Sequence, residues 1–142
     1  VMPNFIFSDF GDYLRSAANT GKEDAPNLDN VNFNIEIFKA FAKGYLHSAG
    51  VFLTPVEVEN LPYAAKLFPY MQSVRFLIDY INGDVYYKTQ YADHNLVRAR
   101  AQWKLFESAD QHETEMEIFI KQVVGQRGPA GQYNNLLNTF EA

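Results

Sequence analysis

Between Asn32 and Ser48 the apolar residues Ile35, Phe38, Phe41, Ala42, Tyr45 and Leu46 recur at helical spacing, and no other feature narrows the fold as far. Positions i, i+3, i+6, i+7, i+10 and i+11 place all six on one face of an amphipathic helix. Gly50 is well placed to stop it. Further helices follow in the same way. Thr54-Pro55-Val56-Glu57 reads as a helix start, with Thr54 as cap, Pro55 at the first helical position and Glu57 completing a capping box. Pro62 opens a second segment, and Leu67, Met71, Val74, Leu77, Ile78 and Ile81 mark a mostly buried helix that Pro69 is expected to kink.

Asn82-Gly83-Asp84 reads as a turn. Val85 to Thr89 has β-type composition, but so short a run in a helical chain is expected to be an extended loop. Asp93 is expected to cap a helix with Leu96, Ala99, Trp103 and Phe106 along one face. Asp110 or His112 starts another, with Met116, Phe119, Ile120 and Val123 inward. Gly125 to Gly131 interrupts the pattern, and residues 125–142 form a tail with one short helix at most, over Asn134 to Phe140. Nearer the start, Asp12 to about Thr20 reads as a short helix ended by Gly21, before a polar loop over 21–30 broken by Pro26. The expectation is one all-α domain over 1–142, a helical bundle of about six helices.

With 142 residues, 47% of them hydrophobic and 15% aromatic, the chain is long enough and apolar enough to bury a core. A net charge of −5 and no Lys/Arg cluster argue against a nucleic-acid surface. No apolar run of membrane length and no Cys is present, so no membrane span, disulfide framework or thiolate site is expected, and a cytoplasmic location is the default. His47, His94 and His112 are scattered without metal-ligand spacing, and no metal site is expected. Gly-x-Ser-x-Gly, Walker-type and G-x-G-x-x-G motifs are absent. Gly125-Gln126-Arg127-Gly128 follows a helix, and its context is that of a loop and not a phosphate cradle.

The first fifteen residues bring Phe5, Ile6, Phe7 and Phe10 together with no polar lead-in and no helix start. A chain that opens this way is expected to be a piece of a larger protein. Left uncovered, these four side chains are expected to make it self-associate. Asp9-Phe10-Gly11 invites a protein-kinase reading, in which the Asp holds magnesium on nucleotide phosphates. That reading fails, because the catalytic-loop residues it needs do not precede Asp9. Asp9 and Asp12 are instead expected to cap and anchor a helix start, with Arg15 paired to Asp12 at i,i+3.

A polar cluster remains in the middle: Arg75, Asp79, Tyr80, Asp84, Tyr86, Tyr87, Lys88, Arg98 and Arg100. Arg75 and Asp79 stand at i,i+4, which fits a structural ion pair. The functional alternative has Arg75 reach a small polar ligand, with Tyr86 adding a ring and a hydroxyl.

Several stretches resemble one family. They are Val-Met-Pro with Asp-Phe-Gly-Asp-Tyr-Leu-Arg-Ser-Ala-Ala-Asn-Thr (1–20), Phe-Ala-Lys-Gly-Tyr-Leu (41–46), Phe-Leu-Thr-Pro-Val-Glu (52–57), Arg-Phe-Leu-Ile-Asp-Tyr-Ile-Asn-Gly-Asp-Val-Tyr-Tyr-Lys-Thr (75–89) and Asp-His-Asn-Leu-Val-Arg-Ala-Arg-Ala-Gln (93–102). In this order they resemble the C-terminal helical part of N-acetylhexosamine 1-kinases, of the aminoglycoside-phosphotransferase/choline-kinase superfamily. The likeness covers about residues 1–108 and departs from the family at Pro69. It implies the C-terminal subdomain of a protein-kinase-like fold. The implied parent reaction is ATP- and magnesium-dependent phosphorylation of the anomeric hydroxyl of N-acetylglucosamine or N-acetylgalactosamine.

In that family the magnesium-binding Asp, the catalytic base and the nucleotide lobe precede the Val-Met-Pro block. The resemblance therefore assigns this chain no catalytic residue, and implies that it is inactive alone. Asp9, Gly11, Asp12 and Arg15 resemble a structural motif, and Arg75 and Tyr86 resemble sugar-contacting residues. The sulfatase label that some members carry has no basis here, since no Cys or Ser stands in a C/S-x-P-x-R motif. The alternatives are a stand-alone all-α interaction module, or part of a kinase for choline or an aminoglycoside.

Overall fold

Six α-helices make up the described chain: α1 (Pro3–Ala17), α2 (Ile35–Ala49), α3 (Pro55–Glu59), α4 (Leu61–Ile81), α5 (His94–Gln111) and α6 (Glu113–Gln126), with a 3-10 turn at Leu28–Asn30. The structure is a computed structural model that describes residues 3–49 and 53–126, with side chains for 9–48 and 53–125. Among the described residues there is no strand, and one isolated antiparallel bridge joins Asn19 to Phe33. The all-α bundle expected from helical periodicity is the architecture found. Gly50 and the short helix expected over 134–140 lie outside the described residues.

The helix starts follow local chemistry. At α3 the Thr54 hydroxyl accepts from Glu57 N at 3.2 Å and the Glu57 carboxylate accepts from Thr54 N at 2.8 Å, the reciprocal box the sequence predicts. Pro62 lies in the first turn of α4, where a missing N–H costs nothing. The start of α2 is held by Asn34, whose side chain accepts from Glu36 N and Ile37 N. α1 departs from expectation. It runs over Pro3–Ala17 and does not start at Asp12. Asp9 and Asp12 therefore sit inside the helix, and neither caps it. The Asp12–Arg15 pair does form, at 3.3 Å. Arg15 also reaches Glu23 in the following loop and the Gln102 side chain of α5.

α4 is the hub, packing most extensively on α5 and next on α1. It continues through Pro69 as a single helix. Its buried face is Leu61, Pro62, Ala64, Ala65, Pro69, Ser73, Phe76 and Asp79. The bulky stripe expected to be inward is not: Leu77 is 42%, Ile78 52% and Ile81 72% exposed. Helices that approach closely need small residues in the seam, so the bulky ones are turned outward. The same happens on α5, where Ala99, Ala101, Leu105 and Ala109 are buried and Trp103 stays 43% exposed. On α6 the expected Met116, Ile120 and Val123 are buried and Phe119 packs against them.

Gly11 marks the tightest point of the α1–α4 seam. A Cβ there would stand 2.3 Å from Phe68 Cδ2 and 2.8 Å from the Ala64 carbonyl oxygen. The ring can turn, but the carbonyl belongs to the α4 backbone. Gly11→Ala is therefore expected to destabilise the chain by about 1–3 kcal/mol through overpacking, even though Ala favours a helix interior by ~1 kcal/mol. A urea midpoint equal to or above that of the wild type would show that α1 and α4 can part without cost.

The core is aromatic between α1 and α2. Phe10 is fully buried, with its ring 6.0 Å from Phe38, 5.4 Å from Phe41 and 5.3 Å from Tyr45. This corrects the expectation that Phe10 belongs to an uncovered sticky patch. An aromatic residue one helical turn from Leu14 and facing three rings has its partners within the chain. The side chains of Phe5, Ile6 and Phe7 lie outside the described residues.

Candidate functional site

The end of α4 and the turn after it build the site. Asn82 is the C-cap, and Gly83 (φ 94°) and Asp84 (φ 61°) take left-handed conformations. Gly83 N donates to Tyr80 O and Asp84 N to Asp79 O, the paired bonds of a Schellman motif. Gly83 bears the positive φ without a Cβ; Asp84, which has one, stays there because its neighbours hold it. The turn throws residues 85–90 back along α4 as an extended loop with no strand pairing, as expected.

Asp79 organises that loop. It is 5% exposed, and its side chain forms no ion pair with Arg75. Its carboxylate accepts from Tyr86 N at 2.7 Å, Tyr87 N at 2.9 Å and the Asn95 amide at 2.8 Å. The Arg75–Asp79 ion pair is thus absent. Arg75 is exposed, and its guanidinium makes no hydrogen bond or ion pair among the described residues. Backbone donors from the returning loop occupy the carboxylate that helical spacing had offered to Arg75. Burial pushes the Asp79 carboxyl up, but the Tyr87 and Tyr86 N–H groups and the Asn95 amide outweigh it and hold its pKa below the ordinary 3.8. A carboxylate so engaged is a poor general base.

The loop is fastened at three further points. Arg98 on α5 donates to Lys88 O at 3.0 Å and to the Asn95 side-chain oxygen at 2.9 Å, with its guanidinium 5.5 Å from the Phe76 ring. The Tyr87 ring packs at a tilt against Phe76, with centroids 4.7 Å apart, and its hydroxyl accepts from the Gln72 amide. Buried His94 accepts from Gln90 N through Nδ1, so the proton of its neutral ring lies on Nε2, which donates to Asp24 at 2.8 Å. That hydrogen bond lowers the Asp24 pKa from its ordinary 3.8. Asp93 does sit at the start of α5, but its side chain accepts from the Tyr80 hydroxyl and caps nothing.

Above this base lies an open hollow of about 490 Å³, lined by Arg75, Ile78, Asp79, Asn82, Tyr86 and Tyr87. Arg75 and Tyr86, singled out together in the sequence, share it. Tyr86 is 83% exposed, and its ring meets that of Tyr87 edge-on at 4.9 Å. The lining offers a free guanidinium, a phenol hydroxyl, an amide, and the apolar faces of Ile78 and two rings. This donor-rich, partly apolar lining suits a small polar ligand. Asp9, Gly11, Asp12 and Arg15 do not line it, and Arg100 belongs to a separate apolar hollow beside Leu77 and Trp103.

Sequence reasoning overlooked Asn95 and Gln72. Asn95 alone left a trace, as a polar residue one position off the apolar face in the first turn of α5. Among the described residues no group of three His, Cys, Asp or Glu is arranged to hold a metal ion, and no helix is long and apolar enough to cross a membrane. No protein-family model matches the chain.

Proposed function

We propose that this chain is the C-terminal, sugar-positioning part of an ATP-dependent phosphotransferase that phosphorylates the anomeric hydroxyl of N-acetylhexosamines in the cytoplasm. The observation that carries the reading is the shared hollow, where unpaired Arg75 and exposed Tyr86 converge. These are the two residues that the resemblance to N-acetylhexosamine 1-kinases assigns to the sugar. A guanidinium donates to sugar hydroxyls, and an aromatic ring packs on the apolar face of a pyranose.

ATP and magnesium belong to the parent reaction, and the resemblance puts the residues that bind them ahead of the Val-Met-Pro block. No chemical step is assigned to this chain, whose part is to orient the acceptor, the main protein contribution to phosphoryl transfer besides electrostatics. Self-association stays in the proposal on sequence grounds alone, from Phe5, Ile6 and Phe7, without Phe10.

Saturation-transfer NMR on the purified chain tests the reading. N-acetylglucosamine or N-acetylgalactosamine is expected to receive magnetisation from the wild type and much less from Arg75→Ala. ATP with magnesium is expected to yield no sugar phosphate. A response to choline or an aminoglycoside in place of the sugars transfers the chain to a different kinase. Silence towards all of them favours an interaction module.

A further inference from the structure

We propose that Asn95 is the positioning residue of the hollow: by holding Asp79, Asp84 and Arg98 together, it fixes the loop that presents Tyr86 to a sugar. This rests on the sugar reading above. Asn95 is fully buried in the first turn of α5. Its amide donates to Asp79 Oδ2 at 2.8 Å and to Asp84 Oδ1 at 3.0 Å, and its oxygen accepts from Arg98 Nη1 at 2.9 Å. Both amide hydrogens are therefore used on two different carboxylates. Only a neutral side chain with two donors and an acceptor satisfies two carboxylates and a guanidinium at once. An apolar side chain would leave Asp79 and Asp84 facing each other as like charges in a buried setting.

The link to Tyr86 is short. Asp79 Oδ1 takes the Tyr86 N–H, and Oδ2 is shared by the Tyr87 N–H and Asn95. Asp84, in its left-handed conformation, is the hinge between helix and loop, and Asn95 grips its carboxylate. Arg98 carries the same node to Lys88 O, farther along the loop. The one ring that packs on Tyr86 among the described residues is Tyr87, whose N–H is held by the same carboxylate, so this node fixes both the backbone from which the Tyr86 side chain springs and the ring beside it. A misplacement of about 1 Å at a positioning group costs up to ~100-fold.

The test compares the wild-type chain with Asn95→Asp and Asn95→Ser, each checked for helix content by circular dichroism. Two quantities are read: exchange rates of the Tyr86 and Tyr87 amides, and the N-acetylglucosamine concentration that half-saturates the shift at Tyr86. At about pH 7 the carboxylate of Asn95→Asp faces Asp79 and Asp84, with Arg98 beside it as a counter-charge. Amide exchange is expected to quicken, and sugar binding to weaken, each by about tenfold.

At about pH 5 the introduced carboxyl, raised by burial and two like charges, takes a proton and donates again. Asp79 stays ionised, Arg98 stays charged, and both readouts are expected to return towards wild type. Asn95→Ser keeps one donor, adds no charge, and is expected to weaken both readouts without pH recovery. A purely structural residue would alter the melting midpoint without this reversible change in sugar affinity. Folded variants that bind sugar as the wild type does overturn the positioning role alone. A wild-type chain with no sugar response overturns the sugar reading and this role with it, and the amide rates then report the clamp separately.

Discussion

Phe10→Ala is expected to lower the unfolding free energy by about 3–5 kcal/mol, the range for removing a fully buried aromatic side chain. Phe10 has no exposed surface and joins α1 to α2 through three rings, so its loss opens a cavity that the bundle can close only by moving a helix. Against a typical total of about 5–15 kcal/mol for a domain, that loss takes the chain to the edge of folding. The measurement is a urea titration followed by circular dichroism. The sign separates two views of the opening segment. Were Phe10 a surface residue awaiting a partner, Phe10→Ala would leave stability nearly unchanged and improve monomer behaviour in sedimentation. A loss below about 1 kcal/mol with less association would count against α1 as a core helix.

Much of the fold was legible because its signals are local. The Thr54–Glu57 capping box, the Gly83 turn and the α6 face at Met116, Ile120 and Val123 all appear where short-range chemistry puts them. What misled was size. The α4 pattern drew attention to Leu77, Ile78 and Ile81, but Ala64, Ala65 and Ser73 occupy the seam. A hydrophobic period finds the large residues on a helix, and a close helix crossing selects the small ones. The extent of α1 was missed because an Asp in a DFG-like string looks like a cap, when the helix already runs through Pro3–Ala17.

At the site, residue types were legible and pairings were not. Arg75 and Asp79 stand at i,i+4, and spacing alone prescribes an ion pair. The loop that returns after Gly83 supplies Asp79 with backbone donors instead, and helical spacing carries no information about a loop that folds back from outside the helix. The role of Asn95 was hidden for the same reason: Asp79 and Asp84 reach it from a helix end and a turn outside α5, and only Arg98 stands at helical spacing from it.

That pairing sharpens what Arg75→Ala should do. In a kinase containing this chain, the substitution is expected to lower kcat/KM for an N-acetylhexosamine by about 2–4 kcal/mol, roughly 30- to 1,000-fold, the scale for losing a charged hydrogen bond to a bound substrate. Stability should hardly move, within about 0.5 kcal/mol, because the guanidinium has no partner to abandon and Asp79 keeps its three donors. Had Arg75 been the counter-ion of Asp79, the pattern would be the reverse: a large loss of stability and folded enzyme with near-normal kinetics. Tyr86→Phe removes only a hydroxyl and keeps the ring, so its expected cost is smaller, about 0.5–1.5 kcal/mol in kcat/KM. Measured together with denaturation midpoints, the two variants separate a sugar-binding Arg75 from a structural one. A residue that is costly to catalysis and free to stability can act only through what it binds. Normal kinetics in both variants would take Arg75 and Tyr86 out of the site and leave the hollow above Asp79 without a sugar.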